Sequence, residues 1–143
     1  MKVWQVMTRP VEVVEPSDSL RTAAEHMRAV NVGSIPVVDG ENRPIGVLTD
    51  RDIVVRGLAL GYDPDAATVS EVMSDELQGC APDTAVEDAA ALMKRHQIRR
   101  LVVVNDRREL VGIVSLGDLA QEASEHLAGE TLEAISEPAP PLP

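Results

Sequence analysis

The chain has 143 residues and a formal net charge of −11, with 44% hydrophobic and 26% charged residues. These values predict a folded protein of one domain or two half-domains, and they disfavour nucleic acid and anionic membrane surfaces as partners, because both carry the same sign of charge. We expect a soluble cytoplasmic protein, since no apolar run approaches roughly 20 residues, no secretory leader is recognisable and the one cysteine, Cys80, cannot form an internal disulfide.

The first half of the chain has the predicted element order β-α-β-β-α. An extended piece at residues 11–14 precedes a helix over about residues 18–31, which begins with the capping residues at 17–19 and continues with apolar residues at helical spacing. The β-branched runs SIPVVD and PIGVLT flank a polar turn, which predicts a hairpin. A second helix is predicted over about residues 50–60.

The same order recurs 66 residues later, after a linker at 62–72. An extended piece at 77–80 precedes a helix over about residues 84–97, and the strands RLVVVN and LVGIVS precede a helix over about 116–127. The match indicates an internal duplication. Because one copy is too small to bury its apolar face alone, we predict an α/β (α+β) fold with two copies packed around a pseudo-two-fold axis. The proline-rich tail at 128–143 is expected to be disordered at its end.

Both copies contain a strand that ends in the same short motif, GVLTDRDI in the first and GIVSLGDL in the second. Its hydroxyl residue and aspartate are Thr49 and Asp52 in the first copy and Ser115 and Asp118 in the second. A carboxylate accepts hydrogen bonds from two vicinal hydroxyls, and the loop before a helix offers N–H groups to a phosphate. The chemistry of the motif is therefore compatible with holding a sugar and a phosphate, and Gly46 and Gly112 would let the strands approach closely.

The same spacing is also that of a helix capping box, which needs no ligand. Thr68 with Glu71 and Thr84 with Glu87 show it at predicted helix starts. Two features favour a binding site. The pattern follows a strand in both copies, and both copies use aspartate although glutamate closes a capping box more readily. Both interpretations stay open, and one aspartate can serve both roles.

Both halves resemble the cystathionine-β-synthase (CBS) domain, over about residues 7–61 and 73–127. The resemblance implies a stand-alone CBS pair that binds an adenine nucleotide. It assigns the aspartates Asp52 and Asp118 to the ribose hydroxyls, and it places the hydroxyl residues Thr49 and Ser115 near the phosphates. Adenine contacts would match Val13 and Ile35, for which a plain core position is the alternative.

The basic residues near the two motifs differ between the copies. Arg51 lies inside the first motif, whereas Arg99 and Arg100 precede the second strand run, at the places of Gly33 and Ser34. The resemblance matches Arg100 to a residue that faces a phosphate, and we therefore expect one occupied site per chain rather than two. Solvated or dimer-interface ion pairs are the alternative for these arginines.

Metal binding and catalysis find no support in the sequence. His26, His96 and His126 share no register between the copies, and no Cys or His partner lies at ligand spacing. No Ser-His-Asp or Cys-His arrangement emerges, and Cys80 is interpreted as a small buried hydrophobe.

The sequence thus predicts a sensor that binds AMP, ADP, ATP or S-adenosylmethionine and acts in trans on a separate, unidentified protein partner. The resemblance further implies a homodimer formed through exposed helices. A ligand-free scaffold or interaction protein is the alternative from another class, and an enzyme ranks last.

Overall fold

The structure, a computed structural model, describes residues 1–122 and has a mixed α+β fold with the predicted order of elements. Within this range the helices are α1 (Leu20–Val30), α2 (Asp50–Asp52), α3 (Val69–Val72), α4 (Val86–His96) and α5 (Leu116–Glu122). The strands are β1 (Ser34–Val38), β2 (Pro44–Thr49), β3 (Gly79–Cys80), β4 (Arg100–Val104) and β5 (Leu110–Ser115). None of the helices among these residues is long and apolar enough to cross a membrane.

Two compact units form, and they do not follow the order of the chain. The first unit contains Glu12–Leu77 with Arg108–Leu110. The second unit contains Met1–Val11, Gln78–Arg107 and the described residues from Val111 on. The helix predicted over 116–127 is described to Glu122, and its predicted continuation, His126 and the tail at 128–143 lie outside the described residues.

The first unit is built on the antiparallel hairpin of β1 and β2, which confirms the predicted hairpin. Ile35 lies opposite Leu48 in the register, and both side chains are buried. The extended piece predicted at 11–14 reduces to a single parallel bridge between Val14 and Val37. The buried core consists of Val14, Leu20, Ala23, Met27, Ile35, Val37, Leu48, Ala67, Val69 and Val72.

The second unit contains a three-stranded sheet in the order β3-β4-β5, with β3 parallel to β4. The side chains along β5 are alternately buried and half-buried, as expected of a strand with one face on the core. The buried core consists of Val3, Val6, Cys80, Val86, Ala89, Ala90, Met93, Leu101, Val103, Val114, Leu116 and Leu119.

Short segments before each repeat explain why the units do not follow the chain. Val3 and Val6 precede the first repeat but are buried in the core of the second unit. Val69 and Val72, at the equivalent places before the second repeat, are buried in the core of the first unit. The segment predicted as a linker, 62–72, therefore contributes Ala67, Val69 and Val72 to the core of the first unit, whereas most of its other residues are exposed.

The two long helices begin differently. Ser19 caps α1 as predicted, because its side chain accepts a hydrogen bond from the backbone N–H of Thr22 at 3.0 Å. The prediction that Thr84 and Glu87 open the second helix is wrong: the N-cap of α4 is Ala85, which has no capping side chain, and Thr84 Oγ1 instead accepts from Ala81 N. The first N–H of α4 donates to the backbone oxygen of Met1 at 3.0 Å, so the N-terminal segment supplies the missing acceptor.

The second helix of the first repeat is less regular than predicted. After α2 the chain continues as a π-helical turn over Ile53–Gly57 and a 3₁₀ turn over Leu58–Leu60. Gly57 is buried, and a Cβ there would lie 3.0 Å from Leu20 Cδ1. A side chain at this turn would therefore crowd Leu20 in α1, which would have to move by a few tenths of an ångström.

Cys80 is a free, buried cysteine in β3. Burial raises the pKa of its thiol to about 11, so the thiol stays neutral near pH 7. This confirms the prediction of a small buried hydrophobe, and it gives the cysteine no nucleophilic role.

Candidate functional site

The second motif forms the turn between β5 and α5. Ser115 N donates to Asp118 Oδ2 at 2.8 Å, and Asp118 N donates to Ser115 Oγ at 3.1 Å. These reciprocal bonds are a capping box, so the capping role left open in the sequence is present. Among residues 1–122 the carboxylate of Asp118 has no further hydrogen-bond partner, so it retains an oxygen that could accept from a ligand.

A concavity of about 500 Å³ opens beside this turn in the second unit. It is lined by Arg99, Arg100, Ser115, Leu116, Gly117 and Ala120. Leu116 N donates to the backbone oxygen of Arg99 at 2.9 Å, which fixes the start of α5 against the entry to β4. The structure therefore brings together two of the predicted site residues, Arg100 and Ser115, and Asp118 joins them through its bonds to Ser115.

The first motif has the same capping box in the first unit. Thr49 N donates to Asp52 Oδ2 at 2.9 Å, and Asp52 N donates to Thr49 Oγ1 at 3.0 Å. Here the other carboxylate oxygen is also engaged, because Arg56 Nη2 donates to Asp52 Oδ1 at 2.7 Å. Burial raises the pKa of Asp52, but the hydrogen bonds from Arg56 and Thr49 outweigh it, and the pKa lies below its ordinary value.

The charges beside the first motif are also different. The backbone bond between Asp50 N and Gly33 O, at 2.9 Å, repeats the bond between Leu116 and Arg99. However, a Cβ built on Gly33 would lie 3.0 Å from Asp50 Oδ2. The carboxylate of Asp50 therefore occupies the place that corresponds to the side chain of Arg99, the equivalent of Gly33 in the second unit. Arg51 is exposed, and its backbone N–H donates to Asp50 Oδ1. The second motif is thus the better anion site of the two.

The remaining predicted contacts, Val13 and Ile35, are not among the residues that line the concavity beside the second motif. Val13 is half-buried, and Ile35 is 1% exposed in the core of the first unit. Ile35 is therefore a core residue in this structure, which is the alternative given for it in the sequence analysis. Sequence reasoning missed Arg56, although its place four residues after Asp52 is a helical ion-pair spacing that could have indicated it.

Histidines and acidic residues do not gather into a metal site in the part of the chain that the structure describes. Within residues 1–122, no group of three or more His, Cys, Asp or Glu side chains is placed to hold an ion. His26 Nδ1 pairs with the carboxylate of Glu12, and His96 is the exposed last residue of α4. The chemistry available at the second motif is therefore that of hydrogen-bond acceptors, guanidinium groups and backbone amides.

Comparison with known proteins places this geometry in context. The CBS domain family model matches residues 3–58 and 69–125. The CBS domain-containing protein YhcV of Bacillus subtilis is 48% identical over 135 residues, which cover 94% of each chain.

Two similar crystal structures contain ligands. One is CBSX2 in complex with AMP, with 28% identity and a TM-score of 0.72 over 84% of this chain and 93% of that one. The other is the CBS domain pair of protein MJ0100 in complex with 5′-methylthioadenosine and S-adenosyl-L-methionine, with 26% identity and a TM-score of 0.72 over 85% and 98% of the two chains. Each of these ligands contains an adenosine group.

Proposed function

The chain belongs to the CBS domain family, and on this basis we propose that it is a regulatory module that binds one adenine nucleotide at the second motif. The observation that carries the proposal is the concavity lined by Arg100 and Ser115, beside the turn in which the Asp118 carboxylate accepts from Ser115 N. The adenosine-containing ligands of CBSX2 and the MJ0100 pair support the ligand class.

Each group at the second motif has a role in this proposal. Asp118 Oδ2 is held by Ser115 N, and its other oxygen accepts from the ribose hydroxyls. Arg100 is exposed on the lining and pairs with phosphate, to which a guanidinium donates two parallel hydrogen bonds. The first-turn amides of Leu116 and Asp118 already donate to Arg99 O and Ser115 Oγ, so the amide of Gly117 is the one that we assign to phosphate.

The module acts in trans, in the cytoplasm, on a separate protein that reads its conformation. A ligand shifts the population of two conformations only if it binds one of them more tightly than the other. We assign this role to the start of α5, which the proposed ligand contacts and which is also bonded to Arg99 at the entry to β4. We propose no catalytic step, because the groups at the site are suited to holding an anion and a sugar rather than to breaking a bond.

An exposed apolar face in the first unit suggests how the chain associates. Val54, Val55 and Leu58 are 54%, 45% and 59% exposed on the π-helical and 3₁₀ turns. Clusters of exposed apolar side chains mark interfaces, and we propose that a second copy of the chain covers this one. Sedimentation velocity should give a dimer for the wild type and a monomer for Leu58→Glu; a monomeric wild type would contradict the proposal.

A second candidate function is a ligand-free scaffold. The observation in its favour is that both motifs are complete capping boxes, which the fold uses without any ligand. In that case the aspartates would contribute to stability alone.

A thermal-shift titration with AMP, ADP, ATP and S-adenosylmethionine separates the two candidates. A ligand present at about 100 times its dissociation constant adds about 2.7 kcal/mol of stability, so at least one of these compounds should raise the melting temperature clearly. GMP and CMP serve as controls and should raise it less. No rise with any adenosine compound would contradict the proposed function and favour the scaffold.

A further inference from the structure

Arg56 makes the two motifs unequal. Its Nη2 atom lies 2.7 Å from Asp52 Oδ1, and Thr49 N lies 2.9 Å from Asp52 Oδ2. Both oxygens of this carboxylate therefore have donors supplied by the chain itself. The Asp52 side chain is 15% exposed, whereas that of Arg56 is 48% exposed, so the guanidinium covers the acidic group from the solvent side.

The second motif has no such cover. Shifted by the length of the repeat, the place of Arg56 is taken by Glu122, and a carboxylate cannot pair with Asp118. Among residues 1–122 the carboxylate of Asp118 bonds only to the Ser115 amide. The duplication has therefore kept the capping box in both copies while the guanidinium occurs in one.

The ion pair competes with the contact that a nucleoside would make. A ribose hydroxyl would have to reach Asp52 Oδ1 from the solvent side, which the Arg56 guanidinium already covers, so binding would require the guanidinium to leave. The bond from Arg56 joins two ionised groups, whereas a ribose hydroxyl is a neutral donor to the same partly buried carboxylate, so the exchange is unfavourable. The Asp50 carboxylate beside Gly33 also repels phosphate. Without the Arg56 guanidinium, the first motif would therefore suit a nucleoside that carries no phosphate.

We infer that Arg56 is an internal plug that closes the first motif, and that its removal opens there a second site for an uncharged nucleoside such as adenosine. The inference rests on the proposed function in one respect, since it gives Asp52 the ribose-binding chemistry proposed for Asp118. It adds a specificity-determining residue and a reason why the chain takes one ligand rather than two.

The test is the number of adenosine molecules bound per chain, measured by equilibrium dialysis with labelled adenosine. Arg56→Ala and Arg56→Met, which both remove the donor to Asp52 Oδ1, should each bind one adenosine more than the wild type. Arg21→Ala is the matched control, because it removes another surface arginine–aspartate pair, that with Asp65, and should bind the same number as the wild type. Arg56→Ala combined with Asp52→Asn should lose the extra adenosine, because the amide keeps the capping acceptor but replaces the other oxygen with a donor.

The result is read as a difference from the wild type, whatever number the wild type binds. A gain of one adenosine in the Arg56 variants that the combined variant loses supports the plug. No gain in either Arg56 variant, with melting curves that show both to be folded, overturns it. A wild type that binds no adenosine compound at all would contradict the proposed function. The role of Arg56 would still be tested in that case, by whether the Arg56 variants bind one adenosine more than the wild type.

Discussion

Gly46→Ala is expected to lower the free energy of unfolding by about 3 kcal/mol, the upper end of the cost of overpacking a core. A Cβ at Gly46 would lie 2.5 Å from the backbone oxygen of Ser74. That oxygen cannot retreat freely, because it accepts from Val47 N at 2.8 Å while Ser74 N donates to Val47 O at 3.0 Å. The substitution therefore breaks this pairing or strains the strand.

Gly112→Ala is the matched control, because Gly112 holds the same place in the second copy. A Cβ there would also meet an atom at 2.5 Å, but that atom is the sulfur of Met7, on a flexible side chain. We expect a cost of about 1 kcal/mol, since a methionine can adopt another rotamer. Urea denaturation of both variants and the wild type measures the difference. An equal cost in the two variants, or a larger one for Gly112→Ala, would contradict this account.

Asp118→Asn is expected to weaken AMP binding by about 10- to 100-fold, which corresponds to the roughly 1.5–3 kcal/mol of a hydrogen bond to a charged group. The asparagine oxygen can still accept from Ser115 N, so the cap survives. The remaining carboxylate oxygen is replaced by an amide donor, which cannot accept from ribose hydroxyls. Affinity should therefore fall while the melting temperature without ligand changes little.

Two further measurements give this prediction its controls. Arg100→Gln should weaken binding of AMP but not of adenosine, because we assign Arg100 to the phosphate alone. Asp118→Ala should lower both stability and affinity, because it removes the cap as well. Calorimetric titration of each variant measures the affinities. Wild-type affinity for AMP in Asp118→Asn would show that the carboxylate does not contact the ligand.

The order of elements could be predicted because the duplication provides two independent copies of each pattern. The β-branched runs, the polar turns and the capping residue Ser19 all appear in the structure where local chemistry places them. The CBS family assignment is confirmed by the family match over both repeats. These features depend on interactions between residues that are close in the sequence, so they can be inferred from the sequence itself.

Features that depend on distant packing could not be predicted. Val3 and Val69 look alike in sequence, and nothing local indicates that each is buried in the unit of the other repeat. The same exchange explains the error at α4, where the acceptor comes from Met1 rather than from Thr84. The approach of Gly57, in the π-helical turn, to Leu20 likewise joins residues that are far apart in the chain.

The residues of the candidate site and the difference in charge between the two motifs could be predicted from the sequence, but the contacts that make the motifs unequal could not. The pattern of Thr49 and Asp52 specifies a capping box and a ribose acceptor equally well, because both need a carboxylate at the same place. What distinguishes the motifs in the structure is the bond from Arg56 to Asp52 Oδ1 and the approach of Asp50 to Gly33. The spacing of Arg56 from Asp52 is that of a helical ion pair, but the approach of Asp50 to Gly33 follows from the fold.

The proposed function requires that an adenine nucleotide binds at the second motif and not at the first. The most direct test is an NMR titration of the ¹⁵N-labelled wild type with AMP, which follows the amide signals of both motifs in one sample. The account predicts saturable shifts of the Ser115, Gly117 and Asp118 amides, while the Thr49 and Asp52 amides stay unchanged. Equal shifts at both motifs, or no shift at Ser115 and Gly117, would contradict it.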